Sequence, residues 1–269
     1  MFPGLILMMA GGVAFAMAAS DPTRVTLRWL RLGGIVGGSL LGVVGVVCWT
    51  TREGRWLVWT GLGLTTAAIT TQLATAQLAR ARGQRGAAAI WFLLATGTVL
   101  AMFGALPASP HDQTPPATWQ VFAGGVPDFA ITASIALSSI LLGACLMTML
   151  LGHAYLTAGN EMTQQPFRRL VRVLFLALVI RALLSGGAAC FPWIRALEGQ
   201  SPPIWTGMTV IARYAVGILV PGVFLYMVHD CVKHAANQSA TGILYVTLVL
   251  IIIGEGSALS LMLTTALPF

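Results

Sequence analysis

The sequence predicts an all-α fold, a polytopic transmembrane helical bundle of about eight spans with the N- and C-termini outside. Three observations predict it. The first is composition: 57% of the residues are hydrophobic, 9% are charged, and the mean hydropathy is +0.84. Soluble domains carry about 25% charged residues, and a soluble chain of 269 residues has no single core able to hide this much apolar surface. The second is run length: the apolar residues fall in stretches near the roughly 20 residues that cross about 30 Å of hydrocarbon as a helix. Lipid offers no partner to an open strand edge, so the spans are helices. The third is charge placement. The formal net charge is +7 and the sequence pI about 9.9, and all but one of the 15 basic residues are arginine. Most of these lie in short loops between apolar runs, which is the pattern of membrane orientation. No nucleic-acid partner is expected.

The first segment, about 2–19, ends in AFAMAASDP, and an A-x-A pattern precedes Ser20. A cleaved signal peptide would show this pattern too, but it would place positive charge before the apolar run. Here Arg24, Arg28 and Arg31 follow it. That order favours an uncleaved helix with its N-terminus outside. The second segment, about 33–50, reads GGIVGGSLLGVVG. Gly33 and Gly37, and likewise Gly34, Gly38 and Gly42, stand at small-xxx-small spacing, which lets helix backbones approach closely, either inside the bundle or at a partner. The third, about 56–79, carries threonines and glutamines expected to bond between helices. The fourth is about 87–106. None of these four places an ionisable residue deep in the apolar run, so residues 1–106 read as a scaffold or docking half.

Residues 107–128 are rich in proline and lack a helical period, which predicts an extended outer loop. Residues 129–269 form the second half, with segments at about 129–157, 170–190, 204–228 and 240–267. The halves show no sequence repeat. Inverted repeats of the transporter kind need an odd number of helices per half, so a four-plus-four split would set the halves parallel. Loops 1–2, 3–4, 5–6 and 7–8 hold ten basic residues: Arg24, Arg28, Arg31, Arg80, Arg82, Arg85, Arg168, Arg169, Arg172 and Lys233. The other loops hold only Arg52, Arg55 and Arg195. This imbalance places the first set in the cytoplasm. Trp49, Trp56, Trp59, Trp119, Trp193 and Trp205 fall at span ends or in outer loops, as interfacial anchors do.

The unusual chemistry is in the last three segments. Arg181, Arg213 and Glu255 each interrupt an apolar run, and an arginine at a helix centre costs about 2.5–3.5 kcal/mol on insertion scales. Counted from the expected edges at about 1.5 Å per residue, the three lie roughly 16, 14 and 18 Å deep. All three are therefore expected near the midplane, facing the bundle and paired. Gly254 and Gly256 would admit a guanidinium neighbour, and Tyr214, Ser257 and Ser185 would add hydrogen bonds. Two arginines and one glutamate leave one positive charge over. The cluster reads either as an ion-paired staple between helices or as a site for an anion, a lipid headgroup or a quinone carbonyl. Pro221 and Gly222 mark an expected break in the seventh segment.

His153 and His229 end two inward-running segments at equal depth. They read as plain interfacial histidines or as contacts to a quinone, and a b-type haem is disfavoured because haem proteins usually show several such pairs. His111 lies in the outer loop. Cys48, Cys145, Cys190 and Cys231 form no CxxC pair and read as small buried hydrophobes. The Asn237-Gln238-Ser239 sequon falls on the expected cytoplasmic side. There is no metal motif, no phosphate loop and no nucleophile–base pattern.

Two functions fit. One is a membrane subunit of a larger bacterial assembly in the cytoplasmic (inner) membrane, accessory or quinone-adjacent in an electron-transfer complex, with other membrane subunits and lipid as partners. The other is a carrier or flippase that handles an anionic or lipidic substrate with the buried arginines. The cofactor is unassigned, with a quinone or a bound lipid as the candidates.

Overall fold

The computed structural model describes residues 2–20, 25–51, 56–77, 81–104, 128–158, 164–197, 204–265 and 269. Among them there is no strand. The helices are α1 (Phe2–Ala19), α2 (Leu27–Thr51), α3 (Trp56–Gln77), α4 (Ala81–Gly104), α5 (Asp128–Ala158), α6 (Gln165–Leu197), a rod α7 over 204–233, and α8 (Asn237–Thr265). The chain is a multi-pass membrane protein by length and composition: α1, α2, α5, α6, α7 and α8 hold the 6 candidate spans among the described residues. The remaining two, α3 and α4, are 22 and 24 residues long and pack on each other and on α2 and α1.

Several helices begin before their hydropathy does. α2, α4 and α6 start at Leu27, Ala81 and Gln165, against expected span starts of about 33, 87 and 170. Polar first turns such as LRWLRL satisfy their own backbone as helix before entering the apolar layer. Hydropathy marks the crossing, not the helix.

Two helices form the centre. α1 is apolar on every face and is buried around most of its circumference. It packs against α2, α4 and α5, and α5 packs against α1, α6 and α8. Where α1 crosses α5, Gly12 and Gly143 bring the two backbones together. A Cβ on Gly12 would overlap the Ser139 carbonyl, and one on Gly143 would overlap the backbone of Gly12 and Val13. The outer faces of α6, α7 and α8 are apolar, with Phe175, Leu176, Leu183, Val223 and Val249 exposed, as lipid-facing surfaces are.

The helix hydroxyls behave differently from expectation. Thr65, Thr66, Thr71 and Thr75 of α3 donate to carbonyls of their own helix. Gln72 reaches across, to the Leu30 carbonyl at 3.5 Å and Met17 Sδ at 3.6 Å. Back-bonding within one helix satisfies a hydroxyl in lipid without requiring a neighbour at a set position.

The arginine-rich helix ends meet at one end of the bundle, where Arg168 Nη2 donates to the Lys233 carbonyl at 3.3 Å. Trp49 and Trp59 meet edge to face at the other, with centroids 6.4 Å apart. The expected outer loop at 107–128 lies outside the described residues apart from Asp128, where α5 begins. Arg24, Arg52, Arg55, Arg80, His111 and Trp119 also lie outside them, as do the side chains of Trp56, Arg82, Cys190, Trp193, Arg195 and Trp205. Cys48 and Cys145 are buried, and Cys231 is half-buried.

Candidate functional site

Arg181, Arg213 and Glu255 meet inside the second half. Each is at most 2% exposed. Arg181 on α6 donates from Nη2 and Nε to Glu255 Oε2 at 3.1 and 3.3 Å. Arg213 on α7 donates from Nη1 to Glu255 Oε1 at 2.7 Å. One carboxylate on α8 thus serves both arginines, one oxygen each. Charge-assisted bonds of this kind are the strong ones, and they offset the desolvation that either arginine alone would suffer.

The remaining donors go to hydroxyls. Arg181 Nη1 donates to Ser134 Oγ on α5 at 2.7 Å, and Ser134 in turn donates to the Phe269 carbonyl at 3.1 Å. Arg213 Nη2 donates to Ser185 Oγ on α6 at 3.2 Å. The Tyr214 hydroxyl donates to the Ser185 carbonyl. Arg213 Nε is buried without an acceptor among the described residues. The count of charges therefore stays at one positive over, with one guanidinium nitrogen unanswered among the described residues.

The local winding explains how Arg213 arrives. Residues Ala212–Leu219 are π-helical, and the Val220 N–H bonds to the Ala215 carbonyl five residues back. Pro221 follows at the start of the last α-helical stretch of α7. Proline carries no N–H, and its ring clashes with the carbonyl four residues earlier in an α-helix. The wider π turn moves that carbonyl away, so the irregularity sits before the proline and carries Arg213 with it. Gly222 is not where space is needed, since a Cβ there would meet Leu178 at an ordinary 3.8 Å. Space is needed at Gly217 and Gly254, where the backbones of α7 and α8 touch. A neighbour allowed in by Gly254 is thus the backbone of α7 rather than a guanidinium, and Gly256 faces open space.

Ser257 takes no part. Its hydroxyl donates to the Ile253 carbonyl of its own helix at 2.9 Å. The residues missing from the sequence reading are Ser134 and Ser138, both on α5, whose apolar run shows no charge to draw attention to it. Within the candidate spans the cluster is displaced from the middle. Roughly 9 Å of helix separate Arg213 from Gly207, and roughly 12 Å separate Glu255 from Leu263. The spans that hold them are 27 residues long. Glu255 and Arg181 therefore stand roughly 8 Å, and Arg213 roughly 10 Å, from the middle of their spans, each displaced toward the end away from the arginine-rich one.

A cavity with room for about one water molecule adjoins the cluster. It is lined by Ser134, Ser138, Arg181 and Glu255, with Met8 of α1 and Phe269 closing it.

His153 and His229 are both exposed. Their helices, α5 and α7, share no substantial interface, because α6 and α8 lie between them. The structure does not bring the two imidazoles together to face an enclosed site. Of Gly34, Gly38 and Gly42, only Gly34 packs inward, against Leu73 and Gln72 of α3. Gly38 and Gly42 point outward, with no atom within 4 Å of where a Cβ would stand. The inward role belongs instead to Gly33, against Met17 and Met147, and Gly37, against Trp91.

Comparison with protein-family models, with curated proteins and with solved structures gives no match for this chain.

Proposed function

We propose that the chain is a non-catalytic, multi-pass subunit of a larger bacterial membrane assembly, quinone-adjacent in an electron-transfer complex of the cytoplasmic membrane. In this reading all eight helices span, the arginine-rich end faces the cytoplasm, and both termini are outside. The observation that carries the subunit role is the outward face of α2. No atom of the described residues stands within 4 Å of where a Cβ on Gly38 or Gly42 would be, so a second helix could lie close against the backbone there. Glycines at this spacing let another helix approach closely. His153 and His229, exposed at the arginine-rich end, are where a quinone headgroup would be met. The buried charge cluster supports a fixed role, since both arginines are bonded to Glu255 and the adjoining cavity is too small for a headgroup.

Extraction in a gentle detergent followed by native mass measurement tests this reading. The chain should travel with other membrane subunits, and Gly42→Leu should release them without lowering the chain's own melting temperature. Migration as a lone chain carrying only lipid would contradict it.

The second reading, a carrier or flippase for an anionic or lipidic substrate, draws on the surplus positive charge and the unanswered Arg213 Nε. Uptake into liposomes that disappears with Arg213→Ala would favour it over the first.

A further inference from the structure

The two halves repeat one another in a way their residues do not announce. Neighbour relations correspond: α1 packs with α2 and α4 as α5 packs with α6 and α8, and α3 packs with α2 and α4 as α7 packs with α6 and α8. Burial corresponds at most positions, with exceptions such as Val58, Ala68, Ala87, Thr96 and Ala177. On α2 the chain buries Gly33, Gly34, Gly37, Leu41, Val44 and Cys48. On α6 it buries Leu170, Val171, Leu174, Leu178, Arg181 and Ser185, at identical spacings. On α4 it buries Ala88, Trp91, Ala95, Thr98 and Val99, and on α8 it buries Leu244, Thr247, Ile251, Gly254 and Glu255. On α3, Leu62, Thr65, Ile69 and Gln72 match Ile218, Pro221, Leu225 and Val228 of α7.

The close contacts obey the same registers. The alignment that carries the burial pattern of α1 onto α5 sets Gly12 on Gly143, and these are the two residues whose backbones meet at the centre. A residue that touches its own counterpart lies on a two-fold axis. The alignment of α3–α4 on α7–α8 sets Gly61 on Gly217 and Thr98 on Gly254. Both pairs are tight contacts: Gly61 against Thr98, and Gly217 against Gly254.

In this correspondence Arg181 stands where the first half has Val44, and Glu255 stands where it has Val99. Both valines are buried and belong to the apolar core. Ser134 and Ser138 stand where α1 has Pro3 and Leu7. The counterpart of Arg213 falls at the beginning of α3, among side chains outside the described residues.

We propose that the chain is a tandem duplication of one four-helix unit, its halves parallel about an axis through the Gly12–Gly143 crossing, and that the second copy was converted from an apolar core into a charged site. The first copy is an internal control. It reaches the same helix packing with valine at both places, so the charges are not what builds the unit. They serve a task at the boundary of the two copies, where Met8 of the first copy closes the water-sized cavity of the second. This inference does not depend on the subunit reading above.

Two variants test it, both in the full chain. In Arg181→Val/Arg213→Leu/Glu255→Val, the second copy is returned to the apolar pattern of the first. It should insert and melt no lower than the native chain, although Glu255→Val alone melts far lower. In Val44→Arg/Val99→Glu, the cluster's main pair is installed in the first copy. It should melt higher than either single variant. A triple variant that melts as low as Glu255→Val, or a Val44/Val99 pair whose losses simply add, would overturn the proposal.

Discussion

Val44 and Arg181 occupy one place in two copies of a four-helix unit, and so do Val99 and Glu255. The copy built from α1–α4 closes that place with apolar contacts. The copy built from α5–α8 closes it with two arginines, one carboxylate and two serine hydroxyls, each bonded to a named partner. The difference separates two requirements that a single site would confound. Packing asks only for the right volume at the right register. Burying charge asks for every partner at once, because removing one leaves the others uncompensated. The second copy is therefore expected to be brittle at positions where the first is tolerant.

The largest effect follows from this directly. Glu255→Ala leaves two arginines facing each other without a counter-charge, and the loss should be roughly 3–5 kcal/mol. Val99→Ala removes two methyl groups and should cost about 0.5–2 kcal/mol. Thermal melts in one detergent compare the two, and equal losses would break the contrast between the copies. Next come the axis glycines, which belong to both copies alike. Gly143→Val drives a side chain into the backbone of α1, where no flexible group can yield, and about 1–3 kcal/mol or more should be lost. Gly12→Val should behave alike, while Gly42→Val, facing open space, should leave the melt of the isolated chain unchanged. Ser134→Ala comes third. It removes the acceptor of Arg181 Nη1 and should cost about 1–3 kcal/mol. The smallest effect is at Ser257→Ala, within about 0.5 kcal/mol of no change, because that hydroxyl bonds only to its own helix.

Much of this was legible in the residues. Composition and run length gave a membrane helix bundle, and three charges in apolar runs had to find one another because each alone is too costly in lipid. The serines that complete the cluster were not legible. A hydroxyl on a membrane helix ordinarily bonds back to its own carbonyls, as Ser139 and Thr148 do, so nothing in the sequence distinguishes Ser134 from them. The spacing of glycines on α2 showed close approach but not its side. Gly33, Gly34, Gly37, Gly38 and Gly42 go around the helix, and only the fold shows that the last two face outward. The π turn was hidden because Pro221 predicts a break without saying how the preceding turns adjust. The duplication was hidden most deeply, since the copies share burial and register rather than residue identities. Valine answers arginine and glutamate across them, a change no hydropathy comparison would align.

The measurement that bears most directly on the paired cluster is a double-mutant cycle in thermal melts, with Glu255→Gln, Arg181→Leu and the two combined. Paired side chains predict that the combined variant melts higher than Glu255→Gln alone, because removing Arg181 takes away a charge that has lost its partner. Losses that add independently would show that the two groups do not meet, and the cluster on which the account is built would be gone.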